Sequence, residues 1–123
     1  MVETARRYIA DPPEVVVVAL GTNDAWNPTR SLPGALAGMD DIVEGFTDAC
    51  LVGVTVPQDA PIEGYSTERG RSLNEAMRRW ADVVVLWEPG LNLLRDDGVH
   101  PSGEGRRIRA RLLADGVAEC EGR

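Results

Sequence analysis

The chain has 123 residues, of which 43% are hydrophobic and 27% charged, a composition typical of one small globular domain. Its formal net charge of −7 argues against nucleic acid or an anionic membrane as the main partner. No apolar stretch approaches the roughly 18 residues that a membrane span needs, and the N-terminus has no signal-peptide pattern.

Three short apolar runs predict the strands of a sheet. They are β-branched and nearly continuous rather than alternating, which is typical of strands covered on both faces in parallel α/β sheets. The runs are residues 14–20, 51–56 and 83–87.

Helical spacing of apolar residues predicts helices over 32–47, 67–81 and 103–119, and a further short helix around 2–9. Ser102 is predicted to be the N-cap of the last long helix. The arginines of that helix are predicted to lie largely in water: Arg106, Arg107, Arg109 and Arg111. Alternation of helices with strands predicts a layered fold with parallel strands side by side.

The stretch GTND (21–24) follows the first predicted strand, at the sheet edge where α/β proteins bind ligands. Gly21 permits a sharp turn there, and Asn23 is expected to project from the strand tip. Its amide is a neutral donor that could stabilise negative charge on an oxygen during acyl transfer. The alternative is that Asn23 or Asp24 only makes a turn or caps a helix.

The stretch DDGVHP (96–101) follows the last predicted strand and contains the only histidine of the chain. The spacing of Asp97 and His100 allows the carboxylate to hold one ring nitrogen, which leaves the other free as a base. Gly98 permits the tight turn, and Pro101 favours an extended backbone at the histidine. The alternatives are a solvated turn and a metal site. The metal site is disfavoured because the chain has a single histidine and no clustered cysteines.

Topology places both stretches at one rim of the sheet, and together they resemble the SGNH hydrolases, also called GDSL-type esterases and lipases. VVVVALGTND is similar to the third sequence block of that family, and DGVHPSGEG to the fifth. The resemblance implies a flavodoxin-like α/β/α fold and hydrolysis of acyl esters or thioesters without a cofactor or metal. It implies Asp97 and His100 as orienter and base, and Asn23 as the oxyanion donor. Substrate contacts are expected from Gly21, Asp24 and Trp26.

The chain departs from that family pattern at its start. The GDS block with the nucleophilic serine and the glycine block are absent upstream of GTND. Residues 1–123 are therefore expected to form one partial domain, truncated to about three strands and inactive by itself. The four serines that could substitute are Ser31, Ser66, Ser72 and Ser102, of which Ser31 is the least implausible. A non-catalytic binding module that kept the fold is the alternative function.

Truncation is also expected to leave the strand at 14–20 as a bare edge through which the chain associates with itself. A flavodoxin-like receiver or nucleotide-binding domain is disfavoured, because GTNDAW offers no phosphate-cradling loop. Cys50 and Cys120 form either one disulfide or two thiols. The sequence leaves two cellular locations as alternatives. One is the cytoplasm, and the other, for a chain joined to or cut from a larger protein, is an extracytoplasmic location.

Overall fold

A computed structural model describes residues 12–27, 29–57, 60 and 63–123 of the chain. The helix predicted around residues 2–9 lies outside the described residues.

A parallel three-stranded sheet forms the centre of the described fold. Its strands are β1 (Val15–Val18), β2 (Cys50–Val54) and β3 (Val83–Val85), in the order β1-β2-β3. Each strand lies within the predicted apolar run or within one residue of it, so the prediction of a parallel α/β sheet is confirmed. The runs extend beyond the strands because their last residues leave the ladder and enter the rim of the sheet.

Helices occupy the connections: α1 (Thr22–Trp26), α2 (Leu32–Glu44), α3 (Thr67–Trp80) and α4 (Gly103–Glu121), with a 3₁₀ turn at Leu91–Leu93. The three long helices match the predicted ones, and Ser102 caps α4 by accepting a hydrogen bond from the Gly105 N–H. The short helix α1 was not predicted. Asn23 therefore lies in the first turn of a helix rather than projecting from the strand tip.

The helices cover both faces of the sheet. Val52 and Val54 of β2 pack in one core with Val85 and the apolar side of α4. Gly53 faces the other way, and a Cβ atom there would lie 2.6 Å from Cγ of Met77 on α3. Since alternate strand residues point to opposite faces, α4 covers one face and α3 the other. The predicted three-layer α/β/α arrangement is thus observed.

Two long-range contacts tie the layers together. A disulfide joins Cys50, at the start of β2, to Cys120, near the end of α4, so the pairing left open by the sequence is decided. On the other face of the sheet, the buried side-chain amide of Asn74 on α3 accepts a hydrogen bond from the Val56 N–H at 2.7 Å. The same amide donates a hydrogen bond to the Val56 carbonyl at 2.8 Å. This pair of bonds replaces ladder partners just beyond the end of β2.

Within the described part of the chain, β1 pairs with β2 alone, and Val17 is 39% exposed. The same part of the chain contains no helix long and apolar enough to cross a membrane.

Candidate functional site

A cavity of about 610 Å³ opens at the rim where the strands end. Its wall includes Asn23 from the loop and helix after β1, Thr55 from the segment after β2, and His100 from the loop before α4. The cavity therefore brings together the two polar stretches that the sequence places at one rim. Its volume lies in the range of small-molecule sites.

His100 and Asp97 form a tight local pair beside this cavity. Nδ1 of His100 lies 2.6 Å from Oδ2 of Asp97, and the other carboxylate oxygen accepts hydrogen bonds from the backbone N–H groups of Val99 and His100, both at 2.9 Å. Gly98 closes the turn with φ of +69°, a conformation that favours glycine. Because Nδ1 is engaged, Nε2 is the ring nitrogen left to exchange a proton with a ligand.

The pair shifts the acidity of its carboxyl group. The hydrogen bond from His100 is the largest cause, and the two backbone N–H groups add to it; together they lower the pKa of Asp97 to about 2. Asp97 is therefore a carboxylate at neutral pH, the form that can support a positive charge on the imidazole.

The loop that carries the pair is held at both ends. The Arg95 N–H donates to the carbonyl of His100 at 2.7 Å, and the Ser102 N–H donates to the carbonyl of Leu93 at 2.8 Å. Gly105 on α4 lies against the same Leu93 carbonyl, so closely that a side chain would not fit. These contacts fix the histidine loop relative to the start of α4.

Asn23 is exposed at the mouth of the cavity and is oriented by Trp26. Its Oδ1 accepts a hydrogen bond from the indole Nε1–H of Trp26 at 3.2 Å. The indole nitrogen can only donate, so this bond identifies the amide oxygen. The two Nδ2 hydrogens remain as donors for a ligand oxygen.

Two of the three residues that are expected to contact the substrate line the cavity. Gly21, with φ of +111°, and Asp24 both line the cavity. Asp24 is also paired with Arg30, whose guanidinium lies 3.5 Å from its carboxylate. Trp26 is not part of the cavity wall formed by the described residues, and its indole N–H donates to Asn23.

None of the four serines lines the cavity wall formed by the described residues. Three of them cap helices: the Oγ atoms of Ser31, Ser66 and Ser102 accept hydrogen bonds from the backbone N–H groups three residues later. Ser72 lies within α3. Ser31, the least implausible substitute nucleophile, is thus a cap at the start of α2.

Arg109 corrects the prediction that the arginines of α4 all lie largely in water. It is half-buried, lines the cavity, and stacks over Trp87 with its guanidinium carbon 5.7 Å from the ring centroid. Spacing contained a signal for this, because Arg109 falls on one helix face with the buried Gly105 and Gly116 and with the half-buried Leu112. A pattern of aliphatic residues alone does not identify an arginine as inward-facing.

The described residues include no group of three His, Cys, Asp or Glu side chains placed to hold a metal ion.

A sequence model of the GDSL-like Lipase/Acylhydrolase family matches residues 3–108, which include Asn23, Asp97 and His100. No curated protein matches the chain.

Proposed function

The chain belongs to the GDSL-like lipase/acylhydrolase family, and from that premise we propose that its cavity is a site for hydrolysis of carboxylic esters or thioesters. The observation that carries the proposal is the 2.6 Å contact of His100 with Asp97 beside a cavity that also includes Asn23. A base with its orienting carboxylate, facing a neutral donor, is the arrangement that acyl transfer requires.

Each group has one role in this proposal. Nε2 of His100 takes the proton of the attacking hydroxyl, and Asp97 holds the ring through Nδ1 and stabilises the imidazolium that forms. The Nδ2 hydrogens of Asn23 donate to the oxygen on which negative charge develops. Removing one such donor typically lowers kcat by about 10²- to 10³-fold.

We infer that none of the serines of this chain supplies the attacking hydroxyl. Three serines are bound as helix caps and none lines the cavity among the described residues. We therefore propose that the chain by itself hydrolyses esters slowly or not at all. Loss of the nucleophile in a serine triad removes several orders of magnitude of rate.

The first experiment tests the nucleophile. With p-nitrophenyl acetate we expect no burst of p-nitrophenol, and with a fluorophosphonate probe no labelled serine. Ser31→Ala and Ser72→Ala serve as matched variants, because Ser31 precedes α2 in the loop beyond GTND, whereas Ser72 lies within α3. Labelling that disappears in Ser31→Ala alone would show that the chain supplies its own nucleophile.

The second experiment tests the site. Titration with ethyl butyrate, followed by NMR, is expected to shift both the side-chain amide of Asn23 and the ring signals of His100. If neither set of signals moves, the cavity is not an ester site.

A non-catalytic module that binds acyl ligands is the second candidate, and the placement of the serines favours it. Both functions predict the NMR shifts, and they differ in slow residual turnover, because a hydrolase site that lacks only its nucleophile keeps some catalysis over water. Steady release of p-nitrophenol above the buffer rate, lost in His100→Ala, supports the enzyme. Ligand-induced shifts without such release support the binding module.

A further inference from the structure

Arg109 places a cation in the wall of the cavity that includes Asn23 and His100. Side chains of an α-helix lean towards its N-terminus, and the N-terminus of α4 follows the histidine loop directly. The arginine thus extends from the second turn of α4 towards the rim. It lies one residue beyond the part of the chain that matches the family.

The guanidinium of Arg109 is incompletely satisfied by the described protein. Its Nε is buried and has no hydrogen-bond partner, and no carboxylate of the described residues forms an ion pair with it. The face of Trp87 compensates part of the loss of water. Because this Nε is closed to solvent, a ligand in the cavity would instead contact the terminal Nη groups of the same guanidinium, which no carboxylate of the described residues engages.

Arg30, the other arginine of the cavity wall, does not share this property. Its guanidinium lies 3.5 Å from the carboxylate of Asp24, and its side chain is 56% exposed. Among the described residues, the cavity wall therefore combines one guanidinium without an ion-pair partner, that of Arg109, with apolar side chains such as Val54, Met39 and Ile42. A single delocalised cation suits a carboxylate, which it can hold through two parallel hydrogen bonds.

We propose that Arg109 binds a carboxylate group of the substrate, so that the cavity selects esters of dicarboxylic acids or of hydroxy acids that keep one free carboxylate. This substrate class rests on the proposed ester-hydrolysis function. The overall charge of the chain is −7, which disfavours anions over most of its surface. A local cation in the same cavity wall as the base is what makes an anionic ester the preferred ligand here.

The test compares monomethyl succinate, which carries one carboxylate, with dimethyl succinate, its neutral counterpart. Binding is followed by NMR shifts of the Trp87 indole, the Asn23 amide and the His100 ring. We expect the monoester to bind at least about tenfold more tightly than the diester, since a hydrogen bond to a charged group is worth about that factor or more. The preference should weaken with added salt.

Arg109→Gln should abolish the preference while the affinity for the diester stays within about twofold. Arg107→Gln is the matched control, because Arg107 is exposed on the same helix and lies outside the cavity wall. It should keep the preference. Thermal melting checks that Arg109→Gln is folded, and Arg109→Lys, which keeps the charge without the planar fork, should retain a smaller preference.

The outcomes separate this inference from the proposed function. Equal binding of the two esters by the unaltered chain, or a preference that survives in Arg109→Gln, overturns the carboxylate site. If the diester still shifts the signals of Asn23 and His100 in that case, the cavity remains an ester site without a carboxylate site. A monoester that shifts Trp87 in an Arg109-dependent way, but moves neither Asn23 nor His100, supports the carboxylate site and contradicts the ester site.

Discussion

The ring of His100 and the carboxylate of Asp97 are joined by a 2.6 Å contact between Nδ1 and Oδ2, across a turn of four residues. The same carboxylate, through its other oxygen, also holds the backbone N–H groups of that turn. One side chain thus determines both the shape of the loop and the orientation of the base.

The first prediction concerns the acidity of Asp97. Its carboxyl group should titrate with a pKa of about 2, below the ordinary 3.8, and His100→Ala should raise that pKa because it removes the largest cause of the shift. The backbone N–H groups remain in the variant, so the pKa should stay below the ordinary value. Carboxyl ¹³C NMR measures both titrations. An unchanged pKa in His100→Ala would contradict the assigned cause.

The sign of the pH effect on stability follows from the same shift. The folded chain holds the proton of Asp97 less tightly than the unfolded chain does, so the carboxylate stabilises the fold above about pH 4 and this contribution disappears as pH falls through about 2. The stability difference between the unaltered chain and Asp97→Asn should shrink over that range. The side chain is 46% exposed, so solvent screening keeps the difference small.

The second prediction compares two glycines of α4. A Cβ atom at Gly105 would overlap the backbone carbonyl of Leu93, whereas one at Gly103 has no atom within 4 Å. Gly105→Ala should therefore lower the free energy of unfolding by about 1–3 kcal/mol or more, because the overlapped atom belongs to the main chain. Gly103→Ala should be neutral or slightly stabilising. Urea unfolding measures both.

Because the Leu93 carbonyl also anchors the N–H of Ser102, Gly105→Ala should broaden or shift the ring signals of His100 as well. Equal stability of the two glycine variants would show that α4 does not pack closely on the 3₁₀ turn.

The third prediction concerns the disulfide of Cys50 and Cys120, which are 70 residues apart in sequence. A cross-link of that span should contribute about 4 kcal/mol by restricting the unfolded chain. The double variant Cys50→Ala/Cys120→Ala should unfold at a correspondingly lower urea concentration. Adding a reductant to the unaltered chain should have a similar effect, and none on the double variant. Reductant-insensitive unfolding of the unaltered chain would argue against the bond.

The fourth prediction concerns the open side of β1. Its backbone is paired on one side only among the described residues, and Val17 is partly exposed on it, so we expect concentration-dependent self-association. Val17→Lys should shift the sedimentation distribution towards monomer, since a charge on an edge strand opposes pairing. Val84→Lys, on the three-residue strand β3 at the other edge, should have less effect. A heat-stable monomer at all concentrations would contradict the prediction.

Local patterns in the sequence were sufficient for the frame of the fold and for the histidine pair. Nearly continuous, β-branched apolar runs identified the three strands, and apolar spacing identified the three long helices, because burial on two faces or on one helical face leaves a regular pattern. Asp97 and His100 are three residues apart, so their contact depends on one turn. The Ser102 cap is local in the same way.

Packing between distant segments decided the rest. Pairing of Cys50 with Cys120 depends on how α4 lies across the sheet. The position of Arg109 in the cavity depends on Trp87 presenting its ring from the segment after β3. Helical spacing places Arg109 on the inward face of α4, but it does not show whether the long side chain ends in water or over a ring. Only the crossing of α4 over the sheet selects between the two environments.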